Sequence, residues 1–203
     1  MRRLIDGYHA FRKGRWQTEH GRYIELARDG QRPDTLVIAC SDSRSDPATI
    51  FNARPGELFV VRNIAAIVPP LETDNSHHGT TAAIAFAVLV LKVSNILVMG
   101  HAQCGGIAAA LDKSFGTDVP SLRSWINLLT PAVERARPAA DDASRHTALE
   151  RDAVVLSMER LRSYPFIAER LRSGELEING ARFGIADGQL EVFDFASQTF
   201  VAA

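Results

Sequence analysis

Thr35-Leu-Val-Ile-Ala-Cys40-Ser-Asp42-Ser-Arg44 is the stretch from which the fold is read. Its first six residues are mostly apolar, rich in β-branched side chains and preceded by Pro33. A short run without polar alternation reads as a strand buried on both faces. Glu57-Leu-Phe-Val-Val-Arg62 and Asn95-Ile-Leu-Val-Met-Gly100 have the same character. Helical signals lie between and after them. Asp46-Pro47 suits the cap and first turn of a short helix through Phe51. Pro55-Gly56 is a turn, Gly79-Thr80-Thr81 opens an Ala-rich helix to about Leu91, and Gly105-Gly106 leads into a helix through Leu111. Strands apolar on both faces, alternating with helices, imply an α/β fold: a parallel-centred β-sheet wrapped by helices.

The flanks read differently. Residues 1–30 are basic and aromatic, with Tyr8, Phe11, Trp16 and Tyr23 among Arg12, Lys13, Arg15 and Arg22. They read as one or two amphipathic helices ending near Gly30, their aromatics packed on this core or on a partner chain. Beyond Leu111 the pattern predicts helices over 121–136, 147–163 and 165–173, with 138–144 as a flexible connection. Two closing segments, 181–186 and 189–195, flank Asp187-Gly188, a hairpin signal.

Composition narrows the function classes. The 203 residues are room for one domain, and 46% apolar content supports a proper core. Twenty-three basic residues against 24 acidic ones argue against a nucleic-acid binder. The longest apolar run, from Ala82 to Leu91, is half of the roughly 20 residues a membrane span needs. No apolar stretch follows the basic start, so no secretory signal is read there. Two cysteines exclude a disulfide-dense secreted scaffold. The expectation is a cytoplasmic protein without a membrane or nucleic-acid partner.

In an open parallel sheet, chemistry gathers beyond the carboxyl ends of the strands. The first strand ends in Cys40, and the third runs into Gly100-His101-Ala102-Gln103-Cys104. Neighbouring strands lie about 4.8 Å apart. If these two are neighbours, Cys40, His101 and Cys104 can converge on one ion. Two thiolates and an imidazole suit Zn²⁺, and three protein ligands leave the open fourth position of a catalytic zinc. Iron and copper(I) also accept sulfur-rich sites. A redox or disulfide pair, or two ordinary buried cysteines, remain open readings of the spacing.

Cys40-Ser-Asp42-Ser-Arg44 and His101-Ala-Gln-Cys104-Gly105-Gly106 resemble the two signature motifs of the β-class carbonic anhydrases, in their plant-like subtype. The resemblance runs over 31–110 and includes Pro55-Gly56-Glu57-Leu58-Phe59, Val61-Arg62-Asn63-Ile64-Ala65 and Gly79-Thr80. It implies a single such domain over 1–203, with a helical arm over 1–30, a zinc-site core over 31–111, and a helical region with terminal strands over 112–203. It implies one Zn²⁺ per subunit on Cys40, His101 and Cys104, with Asp42 and Arg44 as a dyad beside it. The implied reaction is reversible hydration of CO₂ to bicarbonate and a proton, by hydroxide held on zinc and oriented by the dyad. A homodimer or a multiple of dimers is implied as well.

The resemblance also implies substrate contacts. Gln31 would reach bicarbonate across a subunit interface. Phe59, Ile64 and Phe86 match apolar pocket positions, Phe86 standing where many relatives have tyrosine. Gly105 would offer a backbone amide to an anion. A second subtype carries an inhibitory bicarbonate site that uses a tryptophan three residues before the first cysteine and a valine after the arginine. Val37 and Ser45 stand there, so no such site is expected, and the zinc should stay open near neutral pH. Two thiolates cancel the formal charge of zinc, which predicts activity favoured at mildly alkaline pH. The alternatives are hydrolysis of carbon disulfide or carbonyl sulfide on the same ligands, and a noncatalytic zinc-stabilised interaction module. No Gly-rich dinucleotide or phosphate loop follows any strand.

Overall fold

In the computed structural model, which describes residues 1–74, 76–113 and 119–203, the three expected strands are neighbours within a six-stranded sheet. β1 (Thr35–Cys40) lies between β2 (Leu58–Asn63) and β3 (Asn95–His101), and β4 (Glu177–Phe183) follows β3. These four strands are parallel. β5 (Leu190–Asp194) and β6 (Thr199–Ala202) continue the sheet antiparallel. The resulting order is β2-β1-β3-β4-β5-β6. The chain leaves β1 toward one side for β2 and returns on the other for β3. That reversal opens a crevice at the strands' carboxyl ends. Ala39 is in register with Met99, so the tips of β1 and β3 lie side by side.

Successive side chains of a strand point to opposite faces. Leu36, Ile38, Ile96 and Val98 join Val154, Met158 and Leu161 of α8 (Asp142–Ser163) and Ile167 of α9 (Pro165–Arg172) in the main core. Tyr164 is fully buried there, and its hydroxyl donates to the Pro69 carbonyl at 2.9 Å, so its burial strands no polar group. Val37, Ala39, Met99 and Ala181 face the other way, against Ile50 of α3 (Pro47–Ile50), Phe51, and Leu190 and Val192 of β5. Asp46 caps α3 as expected, accepting from the Thr49 amide at 3.0 Å.

The basic-aromatic segment forms two helices, α1 (Arg2–Lys13) and α2 (Arg15–Asp29), neither of which buries a residue. Its aromatics pack on one another: Trp16 lies 5.0 Å from Tyr23 and 6.1 Å from Phe11 between ring centroids. Gly56, at φ +86, admits Leu26 of α2 to within 2.6 Å of where a Cβ would stand.

Several boundaries differ from the sequence reading. The helix from Gly79 is regular only through α4 (Gly79–Ala85). It then widens into a π turn over Phe86–Val90, where the Leu91 amide donates to the Phe86 carbonyl at 3.0 Å. Gly105 opens α5 (Gly105–Asp112) as expected. The segment 121–136 divides into α6 (Pro120–Asn127) and α7 (Thr130–Ala136), because Pro131 has no amide to continue a helix and is tolerated only in a first turn. α8 begins at Asp142, since Asp141 accepts from the Ser144 amide at 2.7 Å and sets the start. Only 138–141 remains as connection. β4 starts at Glu177 and tolerates Gly180 within it, where Val154 and Met158 occupy the place of a Cβ. β6 was not expected. Its turn carries no Gly or Pro, and it is closed instead by Asp194 accepting from the Ala196 and Ser197 amides. No helix among the described residues is long and apolar enough to cross a membrane.

Candidate metal centre

Cys40 ends β1, His101 ends β3, and Cys104 is the residue before α5. Strand adjacency thereby brings together three side chains that are 5%, 1% and 2% exposed. One donor atom from each lies within 4.8 Å of the others. The sulfurs are 3.9 Å apart, about twice the length of a disulfide bond of ~2.05 Å. Two sulfurs bound tetrahedrally at ~2.3 Å from zinc stand about 3.8 Å apart. His101 Nδ1 pairs at 2.8 Å with the Ala102 carbonyl, which fixes that nitrogen as the N–H donor. His101 Nε2, the nitrogen left for a metal, is buried and has no hydrogen-bond partner among the described residues. Two free thiols and an orphaned imidazole nitrogen at this spacing fit a tetrahedral, sulfur-accepting cation such as zinc.

The local electrostatics favour thiolate. The hydrogen bond from Cys104 leads the causes that hold the Cys40 thiol well below its ordinary value, with the Ala65 amide among the further contributors. The same contact pushes the Cys104 thiol up. One proton is thus shared between two sulfurs, and a dication would replace it. The amides of Gly106 and Ile107, at the start of α5, work in the opposite direction on Cys104. Ala65 and Ala66 hold φ of 63° and 53°, a left-handed turn that most residues avoid. Asn63 braces that turn: its Nδ2 donates to the Ile67 carbonyl and its Oδ1 accepts from the Ile67 amide, both at 2.9 Å.

Beside the sulfurs, Asp42 accepts from Arg44 at both oxygens, Nε to Oδ1 at 3.0 Å and Nη2 to Oδ2 at 2.7 Å. The Arg44 amide adds a third bond at 2.9 Å. The Arg44 side chain, then its amide, hold the carboxyl well below the usual carboxylate range. Asp42 Oδ2 stands 4.0 Å from His101 Nε2. Arg62 fixes the turn that carries Asp42, donating to the carbonyls of Cys40 at 2.8 Å and Asp42 at 2.5 Å. Cys40, Ser41, Asp42, Ile64, Gly105, Gly106, Ala109, Leu122 and Ile126 line a cavity of about 520 Å³. Cys40 is therefore the donor that reaches a mostly apolar chamber, beside the clamped carboxylate of Asp42.

A family model for carbonic anhydrases matches residues 35–190. Beta carbonic anhydrase 3 of Arabidopsis thaliana is 35% identical over 205 residues, covering 98% of this chain and 79% of that protein. A carbonic anhydrase of Pseudomonas aeruginosa is 34% identical over 204 residues, covering all of this chain and 91% of its own length. The solved β-carbonic anhydrase CcaA superposes with a TM-score of 0.92 at 30% identity, over 100% of this chain and 99% of that one. A tetrameric β-carbonic anhydrase of Sordaria macrospora gives 0.81 at 33%, over 94% and 95%.

This chain belongs to the β-carbonic anhydrases.

In this carbonic anhydrase, the expected residues divide into two groups. Cys40, Asp42, Ile64 and Gly105 share the cavity wall, and His101 and Cys104 lie behind it around a small internal space with Cys40. Gln31 is exposed between α2 and β1. Phe59 and Phe86 stack on each other with centroids 6.0 Å apart, and Phe86 is 45% exposed. None of these three is among the residues lining the chamber over Asp42. The sequence reading missed Glu150, whose Oε1 accepts from the Gln103 amide at 2.6 Å between two ligand positions. A signal existed, since Glu150 shares a helical face with Ala153, Val154, Ser157 and Leu161, all buried. It also missed the Ala65–Ala66 turn, for which nothing local gives warning.

Proposed function

We propose that this chain hydrates CO₂ reversibly to bicarbonate and a proton, with one Zn²⁺ held by Cys40 Sγ, His101 Nε2 and Cys104 Sγ. The observation that carries this reading is the convergence of three buried donors beside an Asp42 already locked by Arg44. Bound zinc supplies the Lewis acidity that makes water nucleophilic near neutral pH. The protein's own groups do the rest. An ionised carboxylate only accepts hydrogen bonds, so Asp42 takes one from the attacking oxygen and aims its lone pair at carbon. Arg44 keeps that carboxylate ionised and in place through a forked, charge-assisted pair. While the fork is closed, Asp42 is committed to Arg44, which supports an open metal site. Ile64, Ala109, Leu122 and Ile126 give CO₂ an apolar wall. Gly105, at the start of α5, presents its amide to the bicarbonate anion.

Gln31, Phe59 and Phe86 serve a pocket across a subunit boundary, in a homodimer or a multiple of dimers. Three features support the assembly. β2 is an edge strand. Val60, Ile64, Phe86, Leu89 and Val90 are 37% to 62% exposed. α1 and α2 extend without burying a residue in their own chain.

The test is stopped-flow CO₂ hydration with metal content measured on the same samples. Wild type is expected to hold one zinc per chain and to hydrate CO₂, and Cys104→Ser to lose both. Zinc-loaded wild type without hydration, or full activity in metal-free protein, would refute the reading.

A further inference from the structure

Glu150 is a carboxylate on the buried face of α8, 3% exposed. Burying such a group is costly unless it is paired and hydrogen-bonded. The structure supplies several partners. Arg182 of β4 donates to Oε2 through Nε at 2.7 Å and Nη2 at 2.6 Å. Arg182 is itself held by Glu191 at 3.3 Å, and Glu191 by Arg151 at 2.6 Å. His146 Nδ1 lies 3.0 Å from Oε1. The bond that matters for the site runs the other way, to the Gln103 amide at 2.6 Å.

Gln103 occupies a position with two demands on it. It sits between His101 and Cys104 at φ +56, a left-handed conformation unusual for a residue with a side chain. Its carbonyl accepts from Arg44 Nη2 at 3.3 Å. One backbone residue therefore links the ligand loop to the arginine that clamps Asp42. Glu150 also lines the small internal space behind the donors, of about 10 Å³, with Cys40, His101 and Cys104. Ion pairing with Arg182 alone would make Glu150 an internal strut between α8 and β4. The short bond to Gln103 aims the carboxylate at the metal loop instead.

We propose that Glu150 is a positioning residue of the metal centre: by holding the Gln103 amide, it fixes the His101–Cys104 loop and the Arg44 that orients Asp42 together. The proposal rests on the zinc and dyad reading above. Partners of metal-binding groups commonly change metal affinity by 10–100-fold when removed. Glu150 acts one step further out than such a partner, through the backbone that sets where two ligands stand.

The test compares wild type with Glu150→Asp and with the double variant Glu150→Met/Arg182→Met. The aspartate keeps the charge but is one methylene too short to reach both Arg182 and Gln103. The double variant removes both buried charges at once together with the acceptor for the Gln103 amide, leaving two apolar side chains of similar length. Folding is followed by circular dichroism, zinc affinity by competition with a chromogenic chelator, and ligand geometry by the visible spectrum of the Co²⁺-substituted protein. Both variants are expected to fold, to bind zinc about 10-fold or more weakly, and to show a changed cobalt spectrum. At saturating zinc, kcat is expected to fall more than KM changes, because Arg44 is displaced with the loop. Wild-type zinc affinity and cobalt spectrum in either folded variant would overturn the proposal. So would failure of both variants to fold, which would make Glu150 a folding determinant. Wild type without stoichiometric zinc would instead sink the underlying reading, whatever the variants do.

Discussion

Arg44 grips Asp42 with a forked side chain and with its own amide, so the carboxylate loses both its freedom to rotate and its tendency to take up a proton. Asn at this position keeps the size and one acceptor but gives up the charge that the fork recognises. Asp42→Asn is expected to retain zinc, since the three donors are untouched, and to lose about 10²-fold in kcat, the low end for removing a positioned proton acceptor. Stopped-flow rates on samples of measured zinc content check this, and an unchanged rate would remove Asp42 from the mechanism. At this scale much of the site was legible. Cys40, Asp42, Arg44, His101 and Cys104 lie in two short motifs, and the strands carrying them announce themselves by composition. The bond between Glu150 and Gln103 was not, because it joins residues 47 positions apart.

The elements place the site through close approach. β3 passes α8 at Gly100, where a Cβ would stand 2.8 Å from Val154 Cγ2 and 3.4 Å from the Glu150 carbonyl. There is no flexible chain end to move aside, since the branched Val154 is itself in the core. Gly100→Ala is expected to destabilise the fold by about 1–3 kcal/mol, the usual range for overpacking. For a chain of this size each kcal/mol lowers the melting temperature by about 2–4 °C, which calorimetry can read. An unchanged Tm would mean that α8 shifts freely, contrary to its packing. The first three strands and their order of appearance were readable from apolar runs. Helix limits were less so: Asp141 starts α8 before its apolar periodicity begins, and Pro131 interrupts a run that reads as one helix.

At the scale of the whole molecule, two outcomes are expected. Glu191 joins β5 to α8 and β4, and its pKa is lowered, first by the hydrogen bond from Arg151 and further by Arg182. A depressed folded-state value means stability that is present above the unfolded value of about 4.3 and lost as pH falls through the folded value. Wild type is therefore expected to melt higher than Glu191→Gln at pH 6, with the gap closing as the pH is lowered below about 4. A gap constant across that range would show that Glu191 contributes through packing alone. The exposed apolar side chains of β2 and the Phe86–Val90 turn are expected to be covered by a second copy. Sedimentation should give a dimer or a multiple of it, and Leu89→Glu with Val90→Glu should shift the protein toward monomer. A stable, fully active wild-type monomer would refute that assembly.

By itself the sequence determined the parallel α/β core and marked Cys40, His101 and Cys104 as candidate donors, because both are written in local patterns: apolar runs without polar alternation, and cysteines and a histidine at strand tips. Only the tertiary structure decided that β1 and β3 lie side by side, so that the donors meet within 4.8 Å. It alone showed the left-handed Ala65–Ala66 turn, the carboxylate behind Gln103 and the sixth strand. Those features depend on contacts between distant segments, whose energies no short window of sequence contains.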